Sequence, residues 1–434
     1  VADYQLQILE QTISASKIDP ARNCLVTDSQ FNSSHMAHEQ GTFIKKKIQS
    51  AIDPLALPAT LLCFSHLRWD FVYQRPQHLL SRFAKSSNVV VFEEPYFDSE
   101  NPYLELAERD GNVTLAIPHL PGNLSDTERE AALAALLNGL VKSYDLNDCM
   151  FWYYTPMALS FSSHLKPAVT VYDCMDELSA FAFAPPRLKA LEAELFDRAD
   201  VVFTGGYSLY RAKKDAHANV HPFPSSIDRA HFAKARLEQQ EPEDQKNIPH
   251  PRLGFYGVVD ERFDIEMLRQ SAQARPEWQF VIIGPVVKID PASLPQGSNI
   301  HYLGGKSYQE LPGYLSGWDV ALIPFAINES TKYISPTKTP EYLAAGIPVV
   351  STPITDVVNP YGRQGLVHIA GEADVLVSIV DSLLQDSEED RALWLRQVDA
   401  FLASNSWDLT QKKMVQQITM VLQKKRNTVS SSRA

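Results

Sequence analysis

Residues 323–352 read IPFAINESTKYISPTKTPEYLAAGIPVVST. An apolar run ends at Pro324 as a strand would, an irregular polar loop comes next, and a helix opens between Ser335 and Thr339. Pro340 lacks an N–H, which confines it to the first turn of that helix. The spacing predicts a helix over 338–345, stopped by Gly346, and then a strand over 348–351. Strand, loop, helix and strand in this order are one unit of a parallel sheet, and open parallel sheets take ligands beyond the carboxyl ends of their strands. The opening of the helix presents unpaired amides and a partial positive charge, which suits a diphosphate. Lys338 adds a full charge, and Ser335 and Thr337 offer hydroxyls or caps. Glu341, one turn in, can accept hydrogen bonds from ribose hydroxyls. Taken singly, each residue also fits a capped surface helix with a Lys338/Glu341 charge pair; taken together they point to a nucleotide site.

The same rhythm continues on both sides. Upstream, strands are predicted at 253–256, 279–283, 299–303 and 319–324, with helices at 265–274 and 308–316. A second series lies earlier: strands at 61–64, 89–92, 150–154, 168–172 and 200–204, and helices at 76–84 and 186–198. Ser125 and Glu128 form a capping box ahead of the apolar stripe Leu133, Leu136, Leu137, Leu140 and Val141. The charged, proline-punctuated stretch 235–251 separates the two series as a linker. The expected fold class is therefore α/β, with two Rossmann-like domains whose parallel sheets face an interdomain cleft. Residues 1–55 read as a polar N-terminal extension, 56–228 as the first domain, 229–251 as the linker, and 252–407 as the second domain. A C-terminal helix and tail, 408–434, is expected to pack back on the first domain.

Composition narrows the function. The 434 residues carry 40 Lys and Arg against 52 Asp and Glu, a net charge of −12. That balance argues against a nucleic-acid-coating surface, which needs an excess of cations. The cysteines at 24, 63, 149 and 174 form no C-x-x-C pair, and three sit in apolar stretches as small buried groups. No apolar run approaches the ~20 residues of a membrane span, and no secretion signal is evident. A cytoplasmic protein is expected. Lys45–Lys47 and the late Lys412, Lys413, Lys424, Lys425 and Arg426 are either solvated charge or a peripheral contact with the inner face of an anionic membrane.

The stretch at 323–352 resembles the sugar-nucleotide site of retaining GT-B glycosyltransferases of the large family 4 type. In that family a Glu, seven residues and a second Glu precede a G-x-P-V-V strand. Glu341 matches the second Glu, and Gly346, Pro348, Val349 and Val350 match the glycine and the strand, whereas Tyr333 stands in place of the first Glu. The chain is closer to a bacterial polysaccharide and teichuronic-acid subgroup with N…P-x-K-x-x-E-Y-L-A-A-G-x-P-V-V, and Asn328, Glu329 and Tyr333 are the sugar-binding candidates. The resemblance implies that Gly257 and Arg262 join Ser335, Thr337 and Lys338 at the donor diphosphate. Arg262 could equally pair with Asp260 or Glu261 on the surface. Gly304, Gly305, Lys306 and Tyr308, with Glu341, are expected around the nucleoside, although a plain strand-to-helix turn explains the two glycines.

The stretch 65–80, SHLRWDFVYQRPQHLL, comes after the first strand and resembles the S-H-x-x-W-D-x-x-x-Q-R-P signature of the same subgroup. Arg68, Trp69, Asp70, Gln74 and Arg75 are the acceptor-binding candidates, with Trp69 or Tyr73 as a sugar-stacking face. His66, Asp173 and Asp176 are the candidate catalytic groups. His66 and Asp176 could instead cap helices, and Trp69 could be core. Ser226 to Asp228 matches the family's interdomain element and marks the expected hinge.

The implied activity is transfer of a sugar from a nucleoside-diphosphate sugar, UDP-linked in the subgroup, to a glycan or lipid-linked acceptor with retention, in cell-surface polysaccharide synthesis. The leaving diphosphate's own oxygen would help deprotonate the incoming hydroxyl, and the protein would orient and stabilise charge. No metal or other cofactor is expected. A non-catalytic nucleotide-sugar-binding subunit, an epimerase and a phosphorylase on the same fold are the competing readings; turnover, interconversion of free nucleotide sugar and phosphate consumption respectively separate them.

Overall fold

The structure, a computed structural model, describes residues 57–431 apart from 110, 182, 183 and 238. The expected extension 1–55, with Cys24 and Lys45–Lys47, lies outside the described residues. Two sheets carry the chain. The first runs in the order β3-β4-β2-β1-β5-β6-β7-β8, from β1 (Thr60–Phe64), β2 (Asn88–Phe92), β3 (Tyr103–Arg109), β4 (Val113–His119), β5 (Cys149–Tyr153), β6 (Val169–Cys174), β7 (Val201–Thr204) and β8 (Val220–Pro222). All of its pairings are parallel except β3 with β4. The second, wholly parallel, runs β11-β10-β9-β12-β13-β14, from β9 (Arg252–Tyr256), β10 (Gln279–Ile283), β11 (Ile300–Tyr302), β12 (Val320–Ile323), β13 (Val349–Ser351) and β14 (His368–Ile369).

A strand covered on both faces reads as an unbroken apolar run, and β1, TLLCF, is buried at every position. Its side chains alternate between two cores, as a period of two demands. Leu61 and Cys63 pack with Leu79, Leu80 and Phe83 of the helix Arg75–Phe83. Leu62 and Phe64 pack on the other face with Leu133 and Leu137 of the helix Asp126–Val141. The Ser125/Glu128 capping box forms as expected. Cys63, Cys149 and Cys174 are buried free thiols.

The β3–β4 hairpin adds two strands to those expected from the apolar pattern. β3, YLELAER, is an edge strand with its charged residues turned to solvent, so it lacks the apolar run that reveals a central strand. The helices Ala373–Leu383 and Glu388–Leu402 are also additions to the expected elements.

The last helix, Trp407–Ser431, leaves the second domain and returns to the first. Trp407, Met414, Ile418 and Leu422 join the same core as Leu61 and Phe83. Trp407 stacks on His78 at 4.8 Å between ring centroids, and Asp408 pairs with Arg82. Residues 239–251 lie against the second domain. There the buried Gln245 accepts from Trp318 Nε1 and donates to the Tyr314 carbonyl.

Because Trp407, the first residue of the returning helix, is fully buried in the first domain's core, Trp407→Ala should cost about 3–5 kcal/mol, the range for removing a buried aromatic ring. A urea titration monitored by circular dichroism would show this as a lowered midpoint.

Candidate active site

The helix predicted at 338–345 is found at Lys338–Ala345, ended by Gly346 in the left-handed conformation. Thr337 stands at its start without a side-chain cap, so the opening amides are not consumed by a hydroxyl. Thr337 and Ser335 are partly buried, and the Ser335 carbonyl accepts from Ser225 Oγ of the first domain at 2.7 Å. The helix opening thus faces the seam between the domains. A second seam contact is close by, where Asp356 accepts from the Ser208 amide at 2.9 Å.

Lys338 reaches back over Gly257, the first residue after β9. Gly257 has φ +139°, and a Cβ there would stand 2.2 Å from Lys338 Cε. Only glycine permits both the turn and the overlying lysine. The ammonium lies 5.6 Å from the centroids of both Phe255 and Phe325. Burial pulls the Lys338 pKa down, partly opposed by Glu341, and burial pushes the Glu341 carboxyl up. Glu341 accepts a hydrogen bond from the buried Tyr256 hydroxyl.

Arg262 holds Asp260 with Nε and Nη2, the latter at 2.6 Å from Oδ2. The surface-pair reading therefore describes part of its geometry, but the pair is not exposed: Asp260 is buried, and the guanidinium lies 5.6 Å from the ring of Phe181 in the first domain. Lys288 lies at the same distance from that ring. Beside them, both carboxylate oxygens of Glu261 are buried with no hydrogen-bond partner among the described residues. Sequence reasoning reaches Asp260 and Glu261 only as partners for Arg262, and Lys288 and Phe181 not at all. These groups converge from separate loops, which no local spacing reveals.

Among the nucleoside candidates, Gly304 has φ +70°, and space is open beside both Gly304 and Gly305. Tyr308 stacks on His231 at 4.2 Å and meets Tyr73 of the first domain at 4.6 Å, its hydroxyl buried without a partner among the described residues. Lys306 points instead to Asp244, at 2.5 Å. Among the sugar-binding candidates, Asn328 closes a turn by accepting from the amides of Ser330 and Thr331, Glu329 is exposed beside Lys332, and Tyr333 packs on the first domain's core.

The acceptor-side candidates are largely engaged with one another. Arg75 and Asp173 form a buried bidentate pair at 2.8–3.2 Å, and Arg75 also donates to the Phe223 carbonyl. Arg68 binds Glu93 and the carbonyl oxygens of Glu94 and Pro95, and lies over Tyr96. Asp70 pairs with Arg109, Gln74 precedes the first helix in a capping box with Gln77, and Trp69 packs partly buried on the core. These contacts fix the loop 65–75. Asp176 is partly buried between Arg75 and Arg262, and burial raises its pKa. His66 faces the cleft side with Nδ1 buried and unpartnered among the described residues; burial, then the charge of Lys288, lowers its pKa to about 4.

Two Rossmann-like domains with facing parallel sheets, and a second domain whose strand ends gather cations at a helix opening, define the GT-B fold. Residues 250–386, in the second domain, match the family described as Glycosyl transferases group 1. The chain is 26% identical over 252 residues, 53% of its length, to the Bacillus subtilis (strain 168) protein named as the teichuronic acid biosynthesis glycosyltransferase TuaH. That match spans 62% of the relative's length. Sucrose-phosphate synthase from Thermosynechococcus elongatus superposes with a TM-score of 0.64 at 14% identity, over 83% of this chain and 98% of that one. Anabaena HepE, solved with UDP and glucose, gives 0.61 at 14% identity, over 83% and 99%. A trehalose-6-phosphate structure from E. coli with UDP-2-fluoro glucose gives 0.62 at 13% identity, over 83% and 99%.

With its pKa near 4, His66 should stay neutral across the ordinary working range, unlike a free imidazole titrating at about 6.5. NMR of labelled histidine should show the His66 ring shifts unchanged from pH 8 down to about 5. A midpoint above about 6 would place the ring in open solvent instead.

Proposed function

We propose that this protein moves a sugar from a nucleoside-diphosphate sugar, UDP-linked by preference, to a hydroxyl of a glycan or lipid-linked acceptor with retention. The observation that carries the reading is the convergence of Lys338, Arg262 and an uncapped helix opening on the turn at Gly257, at the seam between the domains. A diphosphate there meets two cations and free backbone donors, so its charge is stabilised most as the sugar leaves. Asp260 holds Arg262 by two of its nitrogens, and Nη1 makes no hydrogen bond among the described residues, so the guanidinium can be aimed at phosphate without losing its anchor. Glu341, steadied by Tyr256, takes the ribose hydroxyls, and the space beside Gly304 and Gly305 takes the base.

Glu261 accepts the hydroxyls of the transferred sugar. A buried carboxylate without partners is costly, and sugar hydroxyls supply the missing donors. This gives the chain an acidic group near the donor although Tyr333 occupies the family's first Glu position. Arg75 and Asp173 act by holding the acceptor loop, while His66 and Asp176 face the acceptor. The donor's leaving oxygen takes the acceptor proton on the same face of the sugar, and closure of the two domains excludes water.

The likeness to HepE, solved with UDP and glucose, and to the teichuronic acid biosynthesis relative supports the donor class and a role in cell-surface polysaccharide synthesis. Among the described residues no helix is long and apolar enough to cross a membrane. Exposed Lys412, Lys413 and Lys424 on the last helix suit a peripheral contact with anionic lipid at the inner face, while Lys425 is engaged by Asp200.

Calorimetry with UDP tests the donor site. Lys338→Ala and Glu341→Ala should each weaken binding by roughly 10-fold or more, as loss of a charged hydrogen-bonding partner does; unchanged affinity in both variants rejects the site. Glu261→Gln should leave UDP affinity within about twofold and lower kcat by roughly 10-fold or more, because it touches the sugar and not the nucleotide. UDP binding without turnover on any acceptor supports the non-catalytic subunit instead.

A further inference from the structure

Behind His66 the first domain contains a cavity of ≈ 170 Å³. It lies at the carboxyl ends of β1, β2 and β5, between the helix Asp126–Val141 and the segments 155–161 and 178–188. Its walls are mainly carbon, from Phe64, Phe92, Leu133, Ala158, Phe161 and Leu188. The charged groups on its wall are largely tied to each other: Glu93 to Arg68, Asp126 to Arg129, and Glu130 to Arg187. Four carboxylates, Glu93, Glu94, Asp126 and Glu130, face two arginines, Arg129 and Arg187. Arg68 balances Glu93 from outside the wall, so the chamber's character is set by its carbon surface, where a desolvated anion is costly.

The cavity adjoins the cleft. His66 and Phe181 both line it, and Phe181 is the residue whose ring meets Arg262 and Lys288 of the second domain. His66 Nδ1 is buried there without a partner among the described residues, a polar atom placed where an apolar chamber meets the seam. A concave apolar chamber with a few polar groups at one end is the usual form of a small-molecule site.

We infer that this cavity binds an uncharged hydrocarbon group carried by the acceptor, alkyl or aromatic, while the acceptor's hydroxyl-bearing part lies at His66. The inference rests on the transferase reading above and specifies its acceptor. The hydrocarbon supplies affinity through burial, and the hydroxyl-bearing part is thereby presented to the cleft. An anionic group in the same chamber is disfavoured, so any phosphate of a lipid-linked acceptor stays outside it.

The test is calorimetry on the full chain with UDP, methyl β-glucoside, phenyl β-glucoside, octyl β-glucoside below its micelle concentration, and octyl phosphate. Octyl or phenyl glucoside should bind roughly 10-fold or more tightly than methyl glucoside, with the stronger of the two identifying the group as alkyl or aromatic. Octyl phosphate should bind more weakly than octyl glucoside. Ala158→Phe and Ala184→Trp, each filling the chamber, should abolish the preference with UDP affinity within about twofold. Ala184 lies outside the core, so it decides the matter should the buried Ala158 variant fail to fold. Equal binding of all three glucosides, or a preference untouched by the filling variants, overturns the inference while UDP binding keeps the donor site. Tighter binding of octyl phosphate overturns the uncharged assignment. Loss of UDP binding in the unaltered chain defeats the transferase reading itself, and with it the acceptor role of the cavity.

Discussion

A single lysine laid over a single glycine organises the second domain's face of the cleft. Lys338 can occupy its position only because Gly257 has no Cβ, and Gly257 can turn as it does only because β9 ends there. The phenyl rings of Phe255 and Phe325 remove water from the ammonium, and Glu341 partly restores its charge. A cation held this way is poorly solvated, and in the function proposed above the donor diphosphate would supply what water no longer does. The adjacent helix opening adds amides that point the same way.

The first domain uses charge differently. Its polar loop 65–75 carries many groups that recognise sugars elsewhere, yet most are committed to internal pairs. Arg75 with Asp173 is buried, Arg68 is held by Glu93 and two carbonyls, and Asp70 is held by Arg109. Their effect is rigidity. A loop that cannot rearrange presents His66 and the mouth of the apolar cavity in a fixed relation to the opposite domain.

Between the domains the contacts are polar or aromatic: Asp356 with the Ser208 amide, Ser225 with Ser335, and Tyr73 against Tyr308. Interfaces of this kind permit relative motion of the two halves. The returning helix is the counterweight. Trp407 is buried in the first domain's core, so the chain crosses the seam twice and a hinge motion is guided at both crossings.

The sequence by itself determined the α/β architecture, since apolar runs and amphipathic helices are local patterns with fixed periods. It also located the helix at 338–345 and its glycine stop, because Pro340 and Gly346 constrain their own backbone. Edge strand β3 escaped it, as an exposed strand needs no apolar run. Which polar residues pair off with one another was decided only by the tertiary structure. Arg75 and Asp173 are 98 positions apart, and nothing in either local sequence says that they will neutralise each other. Nor could spacing reveal that Phe181 meets both Arg262 and Lys288, or that the Glu261 carboxylate is buried without a hydrogen-bond partner among the described residues. Pairing and burial are properties of segments brought together by the sheets, and a linear pattern carries no record of them.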